Sequence, residues 1–189
     1  MNSQLLTALT MAVACLLTPR SRAAEWVVYQ GTTGPGVGKQ IVFLAGDEEY
    51  RSEEGLPMLA KILAVRHGFK CTVLFPINTA NGTIDPTTLT NIPGMAALDT
   101  ADLCVMALRF RELPDQQMKH FVDYLERGKP IIALRTSTHA FAYEHNKQSA
   151  YAKFDWRDKD WPGGFGQQVL GETWVDHHGS HGKDCSAGK

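Results

Sequence analysis

Short apolar runs alternate along this chain with stretches of helical periodicity, and the alternation predicts most of an architecture. Residues 40–45 (QIVFLA), 69–75 (FKCTVLF), 103–108 (LCVMAL) and 131–134 (IIAL) have the length and composition of strands covered on both faces. Between the first two, Leu56, Leu59, Ala60 and Leu63 fall at i, i+3, i+4 and i+7, with Ile62 widening the stripe and Gly68 stopping it. Ser52 can cap this helix, with Glu53 and Glu54 in its first turn, at the cost of one backbone bond at Pro57; a start near Pro57 avoids that loss. A second helix opens at Pro114-Asp115, turns Met118, Phe121, Val122 and Leu125 to one side, and closes at Gly128.

The lesser elements are read the same way. Residues 25–30 (EWVVYQ) suit an edge strand, 94–98 one or two helical turns, and 165–174 (FGQQVLGETW) a helix. Residues 76–93 form a polar loop, and 144–160 a polar excursion carrying Tyr151, Phe154 and Trp156. The glycine-rich stretch 31–39 (GTTGPGVGK) invites a phosphate-loop reading and fails it. Its glycines precede a strand instead of following one, and Gln40 stands where Ser or Thr would hold magnesium. A flexible lead-in is expected there.

Strand, helix, strand, short helix, strand, helix, strand specifies an α/β fold with a mainly parallel sheet, helices on both faces and right-handed crossovers. Parallel strands end on a common edge, where ligands bind in open sheets. Three polar bursts should therefore meet: Asp47, Glu48, Tyr50 and Arg51 after the first core strand, Arg109 and Arg111 after the third, and Arg135, Thr136 and His139 after the fourth. In this reading His139 is a general acid or base with Asp47 and Glu48 as charge partners, while Tyr50, Arg51, Arg109, Arg111, Arg135, Thr136 and Trp174 hold the substrate. The plainer alternative is ordinary loop polarity, with Thr and Ser capping the next turn.

Composition narrows the partners. A net charge of −1 and the lack of any Lys/Arg cluster argue against a nucleic-acid face. The apolar run 5–17 is too short to span a bilayer, and small residues follow it near Ala23, so residues 1–23 read as a signal peptide of an exported protein. A lipoprotein anchor at Cys15 is the lesser alternative. Residues 24–39 then form the N-terminal strand and connector, and 40–189 the α/β domain. Beyond the leader, Cys71 and Cys104 sit within apolar runs and Cys185 is alone, which argues against a disulfide framework. His177, His178 and His181, beside Asp176, raise a divalent metal ion as a cofactor, against imidazoles that simply hydrogen-bond a ligand or cap a loop.

Three stretches, IVFLAGDEEYRSEEGLPMLAKILAVRHGF, ALRFRELPDQQMKHFVDYLERGKPIIALRTSTHAF and GQQVLGETWVDHHGSHG, resemble in order the trehalose-utilisation, or ThuA-like, family. The likeness runs over about residues 39–182, and is nearest to the branch found in secreted proteins of sugar-degrading bacteria. It implies a fold similar to class I glutamine amidotransferases, a flavodoxin-like three-layer αβα sandwich, and a role in using a trehalose-like disaccharide or keto-glycoside. An amidotransferase would carry a cysteine in the sharp turn after the fourth strand. This chain has Arg135-Thr136-Ser137-Thr138-His139 there, with Thr136 or Ser137 expected nearest the nucleophile position, so glutaminase chemistry is not expected. Family members continue for several elements past the His-rich segment, and the domain is therefore expected to be C-terminally incomplete.

Two functions from different classes follow. One is an enzyme acting on a small-molecule carbohydrate by proton transfer next to a carbonyl, or by elimination or hydrolysis of a keto-glycoside. The other is a non-catalytic carbohydrate-binding or accessory domain in which Tyr143, Tyr151, Trp156 and Trp161 stack on sugar faces.

Overall fold

A computed structural model describes residues 25–176, 179, 180 and 182–185. The leader expected at 1–23 and the histidines His177, His178 and His181 lie outside that set. Among the described residues no helix is long and apolar enough to cross a membrane.

Five strands form one mixed, mostly parallel sheet: β1 (Trp26–Gln30), β2 (Gln40–Gly46), β3 (Lys70–Leu74), β4 (Leu103–Leu108) and β5 (Ile131–Ala133), in the order β1-β3-β2-β4-β5. β3, β2, β4 and β5 run parallel, with Phe43 facing Val73 on one side and Val105 on the other. β1 closes one edge antiparallel to β3. The chain leaves β2 in one direction to make β3 and returns to its other side to make β4. The loops that follow β2 and β4 consequently diverge, and a crevice opens at their carboxyl ends.

Both faces of the central strands β3, β2 and β4 are covered, which is why they read as unbroken apolar runs; β5, expected to be covered on both faces too, lies at the edge of the sheet with Ile132 exposed. Ile41, Phe43 and Ala45 of β2 pack with Leu56, Ala60 and Ala64 of α1 (Ser52–His67). Their neighbours Val42 and Leu44 face the other way, into a cluster with Met118, Phe121 and Tyr124 of α2 (Asp115–Glu126). The larger aliphatic and Phe side chains among these each contribute roughly 1.5–3 kcal/mol on burial, and the alanines less.

α1 begins at Ser52, with Pro57 inside it. Ser52 does not cap the helix: its hydroxyl accepts hydrogen bonds from the backbone N–H groups of Gly46 and Asp47, at 2.9 and 2.8 Å, and so clamps the end of β2. That anchoring outweighs the backbone bond lost at the proline. Leu59 and Ile62, placed on the apolar stripe by periodicity, are exposed together with Met58 and Val65, because the face that meets the sheet follows Leu56, Ala60 and Ala64. The glycine-rich connector is packed rather than loose. Gly36 N–H bonds the His67 carbonyl at the end of α1, and a Cβ on Gly31 would stand 2.4 Å from the Ala64 oxygen. The helix expected over 165–174 is a single π turn, Gly166–Leu170.

Candidate functional site

The three polar bursts meet at the carboxyl edge, and part of each is spent on holding the others. Asp47 is fully buried, and its Oδ1 accepts the backbone N–H groups of Glu49 and Tyr50 at 2.9 and 3.2 Å. Its Oδ2 accepts the Thr136 hydroxyl. Ser137 accepts the Leu108 N–H at 3.1 Å and donates to the Met106 carbonyl at 3.2 Å, which ties the turn after β5 to β4.

Glu48 reaches two guanidinium groups, pairing with Arg109 through Oε1 and with Arg111 through Oε2 at 3.0 Å. Arg111 has no exposed side-chain surface. Besides Glu48, it donates to the carbonyls of Arg109, Thr88 and Pro86 at 2.8, 3.0 and 2.9 Å. Burial pulls its pKa down to about 10, against the opposing charges of Glu48 and Asp47, so it stays a cation at neutral pH. It therefore pins the loop of residues 76–93 to the sheet edge, spends four of its five N–H donors within the protein, and does not line the cavity described below.

In front of this scaffold lies a cavity of about 740 Å³, within the range of small-molecule sites. Its walls include Glu49, Tyr50, Phe110, Arg135, His139 and Trp174. Two of these residues occupy left-handed backbone that disfavours any residue with a Cβ: Phe110 at φ 54° and Arg135 at φ 45°. Arg135 is the first residue of the turn after β5, so the strained elbow aims a guanidinium outward, 4.0 Å from the centre of the Tyr50 ring. Thr136 and Ser137, expected nearest a nucleophile position, are instead bound into the protein by the contacts above. The Arg109 guanidinium lies 4.5 Å from the Phe110 ring centre, and its Nε stands 3.6 Å from Glu49, too far for a hydrogen bond.

His139 is 6% exposed and belongs to a closed aromatic circuit. Its ring centre lies 5.1 Å from Phe110 and 5.3 Å from Trp174; Trp174 meets Trp156 at 5.0 Å, and Trp156 returns to Phe110 at 6.4 Å. Nδ1 of His139 is 3.4 Å from the Thr138 hydroxyl. The imidazole is tilted by 44° against Phe110 and by 49° against Trp174, and it lines the cavity.

Of the residues expected to form the site, Tyr50, Arg109, Arg135, Thr136, His139 and Trp174 line the cavity. Asp47 and Glu48 stand behind it as the scaffold, and Arg111 is removed from it by burial. Arg51 points away, paired with Glu54 on the exposed first turn of α1. Among the aromatics expected to stack on sugars, Tyr143 is buried, and Tyr151 and Trp161 pack against Phe154; Trp156 alone touches the circuit. The metal expected at His177, His178 and His181 rests on residues outside the described set, and among the described residues no group of three or more His, Cys, Asp or Glu converges. Glu49, Phe110, Thr138, Asp176 and Asp184 line the cavity without having been singled out as holding substrate. Glu49 and Phe110 sit inside polar bursts already read as functional, so attention to whole bursts would have included them. Burial raises the Cys71 thiol to about 11 and the Cys104 thiol further, which makes both inert.

Comparisons of the chain with protein-family models, with curated proteins and with solved structures found no match.

Proposed function

We propose that this is a ThuA-like domain protein of carbohydrate utilisation, which takes a trehalose-like disaccharide or keto-glycoside into the cavity at the carboxyl edge of its sheet. The parallel strands follow the order β3-β2-β4-β5, in keeping with a flavodoxin-like sheet whose ligand lies at the switch between β2 and β4. The observation that carries the reading is the make-up of the cavity wall. Tyr50, Phe110 and Trp174 offer flat apolar faces suited to the C–H surfaces of a sugar ring, and Arg135, Glu49 and His139 offer donors and acceptors suited to its hydroxyls.

His139 is the proton-transfer group in this proposal. With a keto-glycoside bound, it takes the proton from the carbon between the ketone and the glycosidic carbon, that electron pair forms a carbon–carbon double bond as the glycosidic carbon–oxygen bond breaks, and His139 returns the proton to the departing oxygen, which leaves as the alcohol. No covalent enzyme intermediate is invoked, because the hydroxyls beside the elbow are already engaged.

The test incubates the protein and its His139→Asn variant with disaccharides and their 3-keto forms. Turnover by the parent, lost in the variant while binding persists, is the expected result. Equal turnover by the variant would remove His139 from the chemistry. Binding without turnover in the parent would favour a second reading, a non-catalytic carbohydrate-binding domain. One observation recommends that reading: Thr136, Ser137, Asp47 and Glu48 are all committed to protein partners, which leaves no nucleophile–base pair among them.

A further inference from the structure

Phe110 also lines a second cavity, of about 290 Å³, and is the residue common to the two linings. Leu89, Phe110, Ala142 and Trp156 give it an apolar lining. The charged groups at its rim are spent within the protein. Glu112 accepts the backbone N–H groups of His145, at 2.8 Å, and Asn146, and its Oε2 lies 2.9 Å from His145 Nδ1. Arg157 forks onto Asp155 at 2.9 and 2.7 Å and pairs with Glu144 at 2.6 Å. The first cavity is different in kind: the Arg135 guanidinium on its wall has no carboxylate partner among the described residues, and His139 faces the same space.

A ligand that fills both cavities must therefore be polar at one end and apolar at the other. A second sugar ring would bring hydroxyls to a mostly apolar surface whose Glu112 and Arg157 are already bonded, and each unmatched hydroxyl would count against binding. A flat hydrocarbon group would lose only contact with water.

We propose that the second cavity is an aglycone subsite, which receives the aromatic or similarly apolar group of a glycoside whose sugar occupies the first cavity, with Phe110 as the wall common to both. The inference rests on the carbohydrate reading above and specifies the substrate class for it: aryl glycosides in preference to simple alkyl ones.

Calorimetric titration with matched methyl and phenyl β-glucosides, and with their 3-keto forms, tests it. The phenyl compounds should bind about tenfold more tightly than the methyl ones. Thr90, exposed at the rim of the second cavity, allows the cavity to be filled without disturbing the core. Thr90→Trp should bring phenyl-glycoside affinity down to the methyl level and leave methyl-glycoside affinity unchanged, while Thr90→Ala keeps the phenyl advantage. Equal methyl and phenyl affinities in the parent protein would overturn the subsite and leave the sugar reading standing. A phenyl advantage that survives Thr90→Trp would also overturn it. Failure of every glycoside to bind would overturn both readings together.

Discussion

The hydroxyl of Thr136 donates to the buried carboxylate of Asp47, 89 positions earlier in the chain. These residues follow β5 and β2, strands that are not neighbours, so the bond straddles the end of β4. Asp47→Ala would strand the backbone N–H groups of Glu49 and Tyr50, while the Thr136 hydroxyl keeps the Leu108 carbonyl at 3.2 Å, for a cost of about 2–5 kcal/mol. Urea unfolding measures this, and Asp47→Asn, which keeps one acceptor oxygen, should lose less. A fall in activity with unchanged stability would instead return Asp47 to the chemistry.

Arg111 should behave as a structural cation. Replacing it with Met leaves Glu48 short of a partner and frees the Pro86 and Thr88 carbonyls, at a cost of about 3–5 kcal/mol. Lys should not rescue it, since an ammonium cannot fork to four acceptors spread around a planar group. Limited proteolysis should then cut first within residues 76–93, which Arg111 ties down in the parent protein through the Thr88 and Pro86 carbonyls. Resistance in Arg111→Met equal to that of the parent protein would show that the loop holds without the guanidinium.

Acid stability should depend on Asp155. Burial alone would raise its pKa, but hydrogen bonds from the Arg157 side chain, the Arg157 N–H and the Tyr143 N–H outweigh burial and hold it below the usual carboxylate value. A depressed pKa in the folded state means that the unfolded chain binds the proton first. The stabilisation is thus complete above about pH 4, the unfolded value, and is lost as pH falls through the folded one. Asp155→Asn should lower stability at neutral pH and flatten its decline between about pH 5 and pH 2. Urea midpoints across that range decide it; an unchanged slope would assign the acid limb to other carboxylates.

Arg135 offers a trade between strain and binding. Its left-handed backbone costs about 1 kcal/mol or more for a residue with a side chain. Arg135→Gly relieves that strain while losing the stacking on Tyr50, so melting temperature should stay near the parent value as sugar affinity falls. Arg135→Val, β-branched at the same φ, should destabilise by about 1–2 kcal/mol. Retained sugar affinity in Arg135→Gly would mean that the guanidinium does not touch the ligand.

Much of the fold was legible because its central strands, β2, β3 and β4, are buried on both faces. β4 spans Leu103–Leu108, the run read from hydrophobicity alone, and the parallel order of the central strands follows from the alternation of elements. Other features depend on packing that no periodicity encodes. Leu59 and Ile62 repeat at helical spacing yet face solvent. Residues 165–174 looked helical, but Gly166 lies so close to the turn after β5 that a Cβ there would be 2.0 Å from the Thr138 oxygen, and Gly171 turns left-handed at φ 80° to end the turn. At the site, sequence located the bursts without revealing which members turn inward. Arg109 and Arg111 differ by two positions, and only their fitting against Glu48 and the neighbouring carbonyls sends one to the cavity and the other behind it.

The bonds that tie together the ends of β2, β4 and β5 also bear on affinity. With Ser52, Asp47, Thr136, Ser137 and Arg111 all engaged before any ligand arrives, the rear of the cleft forfeits its conformational entropy during folding. A ligand docking against it meets a preorganised wall, so little of the binding free energy is consumed in ordering the protein.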